Sequence, residues 1–106
     1  MGLTTQEYLF DLELGCRLRH RHTRTKNKVI DFAVQIEVRT DDQWTPVVRY
    51  DTAHGFAHQD IMHADGKVEK IPMFARDYNE ALTLAEADLK TNWALYKSRF
   101  LEEKSR

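Results

Sequence analysis

Hydrophobic and polar residues alternate along most of the first half of the chain. From Tyr8 to His22 the even positions are mainly apolar, aromatic or histidine, whereas the odd positions from Asp11 onward are acidic, glycine or arginine. An alternation with period two predicts a long β-strand with one buried face. A short helix over Thr5 to Leu14, capped by Thr5, is the alternative for the beginning of this segment.

A second alternating segment predicts the next strand. Its apolar side chains occupy every second position: Ile30, Phe32, Val34, Ile36 and Val38. The polar residues 23–27 would close a hairpin with the first strand. With that loop His22 faces Lys28 and Leu18 faces Phe32, so the apolar faces of the two strands coincide.

The middle of the chain predicts a third and a fourth strand. Trp44–Asp51 forms the third, and a turn at His54-Gly55 returns the chain as Phe56–His63. In this register, residues of matching character face each other across the two strands. The expected pairs are Val48 with Ile61, Arg49 with Asp60, and Asp51 with His58.

The last third of the chain predicts a short strand and a long helix. Asp65-Gly66 is a hairpin signal, so Lys67–Ile71 forms a fifth strand that Pro72 terminates. Asp77 and Glu80 have the spacing of a capping box, which starts a helix with one apolar stripe. The stripe consists of Tyr78, Leu82, Ala85, Leu89, Trp93, Tyr96 and Phe100. We therefore predict one α+β domain over residues 1–106, an antiparallel meander of four to five strands with one long C-terminal helix packed on one face.

Composition narrows the class of protein. The 106 residues are 42% hydrophobic and 31% charged, which is typical of a globular domain, and the net charge of -1 gives no overall attraction to nucleic acid. Cys16 is the single cysteine, which excludes an internal disulfide and favours a reducing compartment. Without a signal pattern or an apolar run of about 20 residues, a soluble cytoplasmic protein with no membrane partner is expected.

Positive charge is concentrated in residues 17–28, a run that contains no acid. Such a run could follow an RNA backbone. Alternatively, it protects the edge of the sheet from pairing with other chains. The candidate RNA-binding residues are Arg17, Arg19, Arg21, Arg24 and Lys26.

The densest group of polar residues lies between Arg49 and Gly66 and includes three of the five histidines. The predicted registers align Gln35, Arg49 and Asp60 in one row on the sheet face away from the helix, with Asp51 and His58 in the next row. Histidine exchanges protons near neutral pH and arginine stabilises phosphate charge, so the cluster could cleave RNA without a metal. The candidate catalytic residues are Arg49, Asp51, His54, His58 and Asp60.

Other interpretations use the same surface. The pairs Arg49-Asp60 and Asp51-His58 could be solvated cross-strand pairs that contribute a few tenths of a kcal/mol each. A metal site could form from His54, His58 and either Asp60 or Asp51, but this spacing is unspecific, so no metal or cofactor is assigned. A non-enzymatic module that binds a protein partner through the open sheet face or the helix is a further alternative. The oligomeric state is left open.

The segment Val47-Val48-Arg49-Tyr50-Asp51-Thr52-Ala53-His54-Gly55-Phe56-Ala57-His58-Gln59-Asp60 resembles a group of small prokaryotic proteins of undefined function. More distantly, it is similar to TumE-type toxins of toxin-antitoxin pairs, with matches at Tyr50, Asp51, Gly55 and His58. The toxin resemblance implies a growth-inhibiting protein that acts on RNA and is neutralised by a cognate antitoxin with a helix-turn-helix. The chain departs from the toxin pattern at Gln59-Asp60, where a basic residue and a second histidine are expected.

Overall fold

Six antiparallel strands and one long helix make up the fold. The computed structural model describes residues 2–106. The strands are β1 (Thr4–Glu13), β2 (Cys16–Thr25), β3 (Lys28–Thr40), β4 (Gln43–Asp51), β5 (His58–Met62) and β6 (Val68–Pro72), followed by the helix α1 (Tyr78–Lys104). The strands form one sheet in chain order. The α+β class and the C-terminal helix are confirmed, but the sheet has six strands instead of the predicted four to five.

The additional strand comes from the first alternating segment. The predicted single strand over Tyr8–His22 is divided by a turn at Leu14-Gly15, so β1 and β2 pair with each other. The alternative helix over Thr5 to Leu14 is wrong, because Thr4–Glu13 is a strand. Gly15 has a φ of +81°, a left-handed conformation that glycine adopts at little cost. The apolar positions remain even-numbered on both sides of this turn, so the alternation does not reveal it.

The hairpin between β2 and β3 is tighter than predicted. Only Lys26 and Asn27 separate the two strands, and His22 faces Phe32 while Leu18 faces Ile36. The predicted register was wrong by four residues along β3. Because four is an even number, the same side chains still point to the same face of the sheet.

The register between β4 and β5 is as predicted. Val48 faces Ile61, Arg49 faces Asp60, and Asp51 faces His58. The connection is longer than the expected two-residue turn and contains a short 3-10 segment, Ala53–Gly55. This connection brings the end of β4 and the start of β5 together.

Helix α1 begins at the predicted cap and covers one face of the sheet. The Asp77 carboxylate accepts a hydrogen bond of 2.9 Å from the backbone amide of Glu80. The predicted stripe supplies the buried residues Leu82, Ala85, Leu89 and Phe100, and it packs against the apolar side of the central strands. Among residues 2–106, no helix is long and apolar enough to cross a membrane. The sheet side opposite α1 is called the open face below.

Candidate functional site

The open face carries polar side chains in two neighbouring cross-strand rows. The predicted alignment of Gln35 with Arg49 and of Arg49 with Asp60 is observed. The first row crosses five strands and contains Arg19, Gln35, Arg49, Asp60 and Lys70. The second row contains Ala33, Asp51 and His58. Opposite charges therefore meet where β4, β5 and β6 lie side by side.

His58 is the centre of this polar cluster and is only 1% exposed. Its Nδ1 lies 3.2 Å from the carbonyl oxygen of Phe56, and the Phe56 ring covers the imidazole at 5.2 Å between ring centres. Its Nε2 lies 2.9 Å from Oδ1 of Asp51 and 3.5 Å from Oδ1 of Asp60. The imidazole thus points one nitrogen at the backbone and the other at two carboxylates.

Lys70 contributes a cation to the same cluster. Its Nζ lies 3.0 Å from Nε2 of His58 and 2.9 Å from Oδ1 of Asp60. The Asp60 carboxylate is almost completely buried, whereas the Lys70 side chain is 45% exposed. Lys70 therefore reaches into the cluster from solvent. Its place follows from the register of β6, in which Lys70 faces Asp60.

The hydrogen-bonding groups around His58 are mismatched in both protonation states of the imidazole. A carbonyl oxygen can only accept, so a hydrogen bond between Nδ1 and Phe56 requires a proton on Nδ1. If His58 is then neutral, the lone pair of Nε2 accepts a hydrogen bond from Lys70, but it also faces the Asp51 oxygen, and these two acceptors meet at 2.9 Å. If His58 is charged, its Nε2-H faces the Lys70 ammonium at 3.0 Å, and two donors meet. A cation placed between Nε2 and the two carboxylates would remove both conflicts.

Asp51, His58 and Asp60 have the arrangement of metal ligands. One ligand atom from each residue lies within 4.8 Å of the other two. Imidazole nitrogen and carboxylate oxygen together suit zinc or manganese. Metal-binding histidines usually donate a hydrogen bond from their other ring nitrogen, and the contact between Nδ1 and the Phe56 carbonyl resembles that bond.

Arg49 lies beside this cluster and outside it. Its Nε donates a hydrogen bond of 2.7 Å to Oε1 of Gln35, and no acid of the described chain lies within 4.0 Å of its guanidinium. Arg49 is therefore anchored at one nitrogen, opposite Asp60 in the strand register. Its guanidinium has no carboxylate partner among the described residues.

Two other histidines of the polar stretch lie apart from the cluster. His54 is in the connection between β4 and β5, exposed and with a φ of +69°. His63 lies on the helix side, where it contacts Oε1 of Glu69 at 2.5 Å and Oε2 of Glu103 at 2.9 Å. These two contacts raise the pKa of His63. Of the five predicted catalytic residues, the structure thus brings together Asp51, His58 and Asp60, with Arg49 adjacent and His54 outside.

The basic run of the sequence is divided in space. Arg17 and Arg19 both donate to the buried carboxylate of Glu37, at 2.7 and 2.9 Å. Burial raises the pKa of Glu37, but hydrogen bonds from Arg17, Arg19 and Gln35 more than compensate and leave the pKa lowered. Arg21 lies near acids of β1 and β3. The neighbouring strands therefore supply the acids that the run lacks.

The cations at the tip of the β2-β3 hairpin remain without such partners. For Arg24, Lys26 and Lys28, no carboxylate of residues 2–106 lies within ion-pair distance. The edge-protection interpretation of the run is wrong, because β2 is an interior strand and β1 forms the edge. Within the basic run, these three are the cations for which the described chain offers no acidic partner.

The fold and the cluster define an α+β domain with buried histidine and carboxylate side chains on an open antiparallel sheet. A family model described as Domain of unknown function (DUF7718) matches residues 3–106. The chain belongs to this DUF7718 family. Searches of curated proteins and of solved structures found no match.

Proposed function

We propose that this protein binds a divalent transition-metal ion through Asp51, His58 and Asp60. The observation that carries the proposal is the orientation of His58, whose Nε2 faces the carboxylate oxygens of Asp51 and Asp60 at 2.9 and 3.5 Å. A proton on Nε2 would satisfy the contact with Asp51, but it would also face the Lys70 ammonium at 3.0 Å. A metal ion that replaces this ammonium satisfies all three groups at once, and a proton on Nδ1, facing the Phe56 carbonyl, leaves Nε2 as the ligand atom.

Lys70 competes with the metal for this position. Its ammonium contacts two of the three ligand residues, His58 and Asp60. The flexible lysine stem is partly exposed, so the side chain can leave the cluster when a metal ion enters. Lys70 thereby keeps the buried Asp60 carboxylate paired while the metal is absent.

Metal titration of Lys70→Met and Asp60→Asn tests the proposal. Zinc or manganese binding is measured by isothermal titration calorimetry on the folded protein. Lys70→Met removes the competing charge and should tighten binding about tenfold, or about 1.4 kcal/mol. Asp60→Asn removes a charged ligand and should weaken binding at least as much. Circular dichroism checks that both variants remain folded.

Lys67→Met is the matched control. Lys67 is next to the same strand but its side chain is 84% exposed and faces only Asp65, at 4.0 Å. Lys67→Met should leave the metal affinity unchanged, because this substitution removes a positive charge that lies outside the cluster. Equal affinities of the wild type, Lys70→Met and Asp60→Asn would contradict the metal proposal.

A second candidate function is action on RNA, as in a toxin-like protein of the cytoplasm that a cognate antitoxin neutralises. The specific observation in its favour is the free positive charge at the hairpin tip, where Arg24, Lys26 and Lys28 lack acidic partners within the described chain. Such unpaired cations bind phosphates more readily than Arg17 and Arg19, which already hold Glu37. This candidate also accounts for the available guanidinium of Arg49.

RNA binding should depend on the hairpin tip. Replacement of Arg24, Lys26 and Lys28 by glutamine should weaken binding to single-stranded RNA, measured by fluorescence anisotropy. It should also reduce the slope of log affinity against log salt by about 0.7 for each lost phosphate contact.

A variant with the same loss of charge elsewhere is the control for RNA binding. Its glutamine substitutions are at the exposed residues Lys67, Arg76 and Arg106. Equal affinities of the two variants would show that only net charge matters and would contradict a hairpin site. Intact cellular RNA and normal growth after expression would contradict the toxin-like activity and favour the protein-interaction module.

A further inference from the structure

A groove of about 370 Å³ lies on the helix side of the sheet. Its strands are at the opposite end of the strand order from β5, which carries two of the three proposed metal ligands. It is formed by β1, β2 and the first half of α1, and its polar lining includes Gln6, Tyr8, His22, Arg24 and Glu86. None of these residues belongs to the open face. The groove therefore has its own chemistry.

A chain of polar contacts leads from the helix to the groove. The Glu86 carboxylate pairs with Nδ1 of His20, and it accepts a hydrogen bond of 3.1 Å from the Tyr8 hydroxyl. Nε2 of His20 lies 2.6 Å from Nδ1 of His22. The Tyr8 ring stacks on the His20 ring at 4.5 Å between centres. These contacts fix the orientation of both imidazoles.

The last nitrogen of this chain lacks a partner. The His22 side chain is buried, with 5% of the residue exposed. Its Nε2 makes no hydrogen bond to any residue of the described chain. Buried polar atoms without a hydrogen bond are rare in native proteins and call for an explanation. Since His22 lines the groove, a ligand in the groove can provide the missing partner.

The charges around the groove favour an anion. The negative charge of Glu86 is already paired with His20 and with Lys90, whose Nζ lies 3.0 Å away. Hydrogen bonding to His20 lowers the pKa of Glu86 to about 2, so Glu86 is a carboxylate at neutral pH. Arg24 has no acidic partner among residues 2–106 and lies along the same groove. It is the free charge of this site.

We propose that this groove binds a phosphate group, with Arg24 pairing its negative charge and Nε2-H of His22 donating to one of its oxygens. Arginine matches the planar geometry of two phosphate oxygens. The inference is independent of the metal site, because it uses none of its residues. It shares Arg24 with the RNA candidate, and the phosphate can be a free ion or the end of a nucleotide chain.

Phosphate binding should change the titration of His22. Burial lowers the pKa of His22, and so do the neighbouring charges of His20 and Arg24, while Glu86 and Asp31 act in the opposite direction. A bound phosphate anion favours the charged imidazole, so the pKa of His22 should rise when phosphate is added. The Glu86–His20 pair alone would not produce this response.

The test is an NMR titration of the full chain with inorganic phosphate. Binding is read from the backbone amide signals of residues 22–24 in every variant, and the pKa of His22 is read from its imidazole nitrogen signals where the histidine is present. Chloride at equal ionic strength is the reference. Saturable shifts and a higher pKa of His22 are expected for the wild type. His22→Asn and Arg24→Gln should each weaken phosphate binding at least fivefold, and the exposed Lys28→Gln should not.

The outcomes separate this inference from the RNA candidate. Shifts that do not saturate in the millimolar range, or that persist in both variants, would overturn the groove site. Arg24→Gln changes an exposed side chain, so it remains informative if His22→Asn fails to fold. Tighter binding of a 5′-phosphorylated RNA oligonucleotide than of its unphosphorylated form would identify a chain end as the ligand. Equal binding of the two, with saturable inorganic phosphate, identifies the free ion.

Discussion

At the scale of single residues, the carboxylates of two polar clusters on the open face are stabilised to different degrees. Glu37 accepts hydrogen bonds from two guanidinium groups and one amide, so its negative charge is fully paired. Asp60 pairs with the ammonium of Lys70, whereas the Asp51 carboxylate faces Nε2 of His58 and accepts a hydrogen bond from the Ala53 amide. The first arrangement is that of a structural ion cluster, and the second has unbalanced negative charge that suits a cation.

Glu37→Gln should destabilise the protein by about 3 kcal/mol, because it leaves two guanidinium groups without their buried carboxylate. The lowered pKa of Glu37 also predicts a pH effect. A carboxyl whose pKa is lower in the folded state stabilises the protein above its ordinary value of 4.5, and this contribution is lost as pH falls below it. Urea unfolding at pH 7 and at pH 3 measures both effects.

Glu7→Gln is the control for this prediction. The Glu7 side chain is 62% exposed and lies 4.0 Å from Arg21, so its replacement should change stability by less than about 0.5 kcal/mol. If the free energies of unfolding of Glu37→Gln and the wild type differ as much at pH 3 as at pH 7, the buried carboxylate does not stabilise the protein through its charge.

At the scale of elements, the sequence predicts what is determined by local pairs and misses what depends on a turn or on distant packing. The β4-β5 register follows from the sequence because each facing pair matches in polarity or charge. The turn at Leu14-Gly15 was missed because the alternation continues through it in phase. The sequence predicts β6 but not its register with β5, so it does not reveal that Lys70 faces Asp60 in the site.

The groove on the helix side shows the same limit. Helical periodicity predicts which residues of α1 face the sheet, but it does not determine which strand each turn of the helix crosses. Glu86 meets His20 although 66 positions separate them in the chain. The alternation predicts His20 and His22 on the buried face of the sheet. The acidic partner of His20 is determined by the position of the packed helix.

Gly15→Ala should destabilise the β1-β2 hairpin by about 1 kcal/mol. The residue has a left-handed φ of +81°, which costs a side chain free energy even though the nearest atom to an added Cβ is at an ordinary distance of 3.9 Å. The loss should appear in the urea unfolding midpoint and as faster amide exchange in β1.

Gly2→Ala provides the comparison. An added Cβ at Gly2 meets no atom within 4 Å, and no left-handed φ applies there. Its stability should equal that of the wild type. Equal stabilities of the Gly15→Ala and Gly2→Ala variants would show that a side chain at position 15 causes no backbone strain in the turn.

At the scale of the whole molecule, the sheet separates two polar sites. The open face holds the proposed metal ligands of β4 and β5, and the helix side holds the groove of β1, β2 and α1. Apolar side chains of β3 and β4 lie between them. Metal binding and phosphate binding should therefore be independent, and saturation with either ligand should leave the affinity for the other unchanged.

The central claim is that Asp51, His58 and Asp60 bind one metal ion in place of the Lys70 ammonium. Anomalous X-ray scattering from crystals soaked in manganese tests it most directly. We expect a single strong peak about 2.0 to 2.3 Å from Nε2 of His58 and from both carboxylates, with Lys70 turned toward solvent. A peak elsewhere, or Lys70 still bonded to Asp60 in a crystal without a peak at His58, would contradict the account.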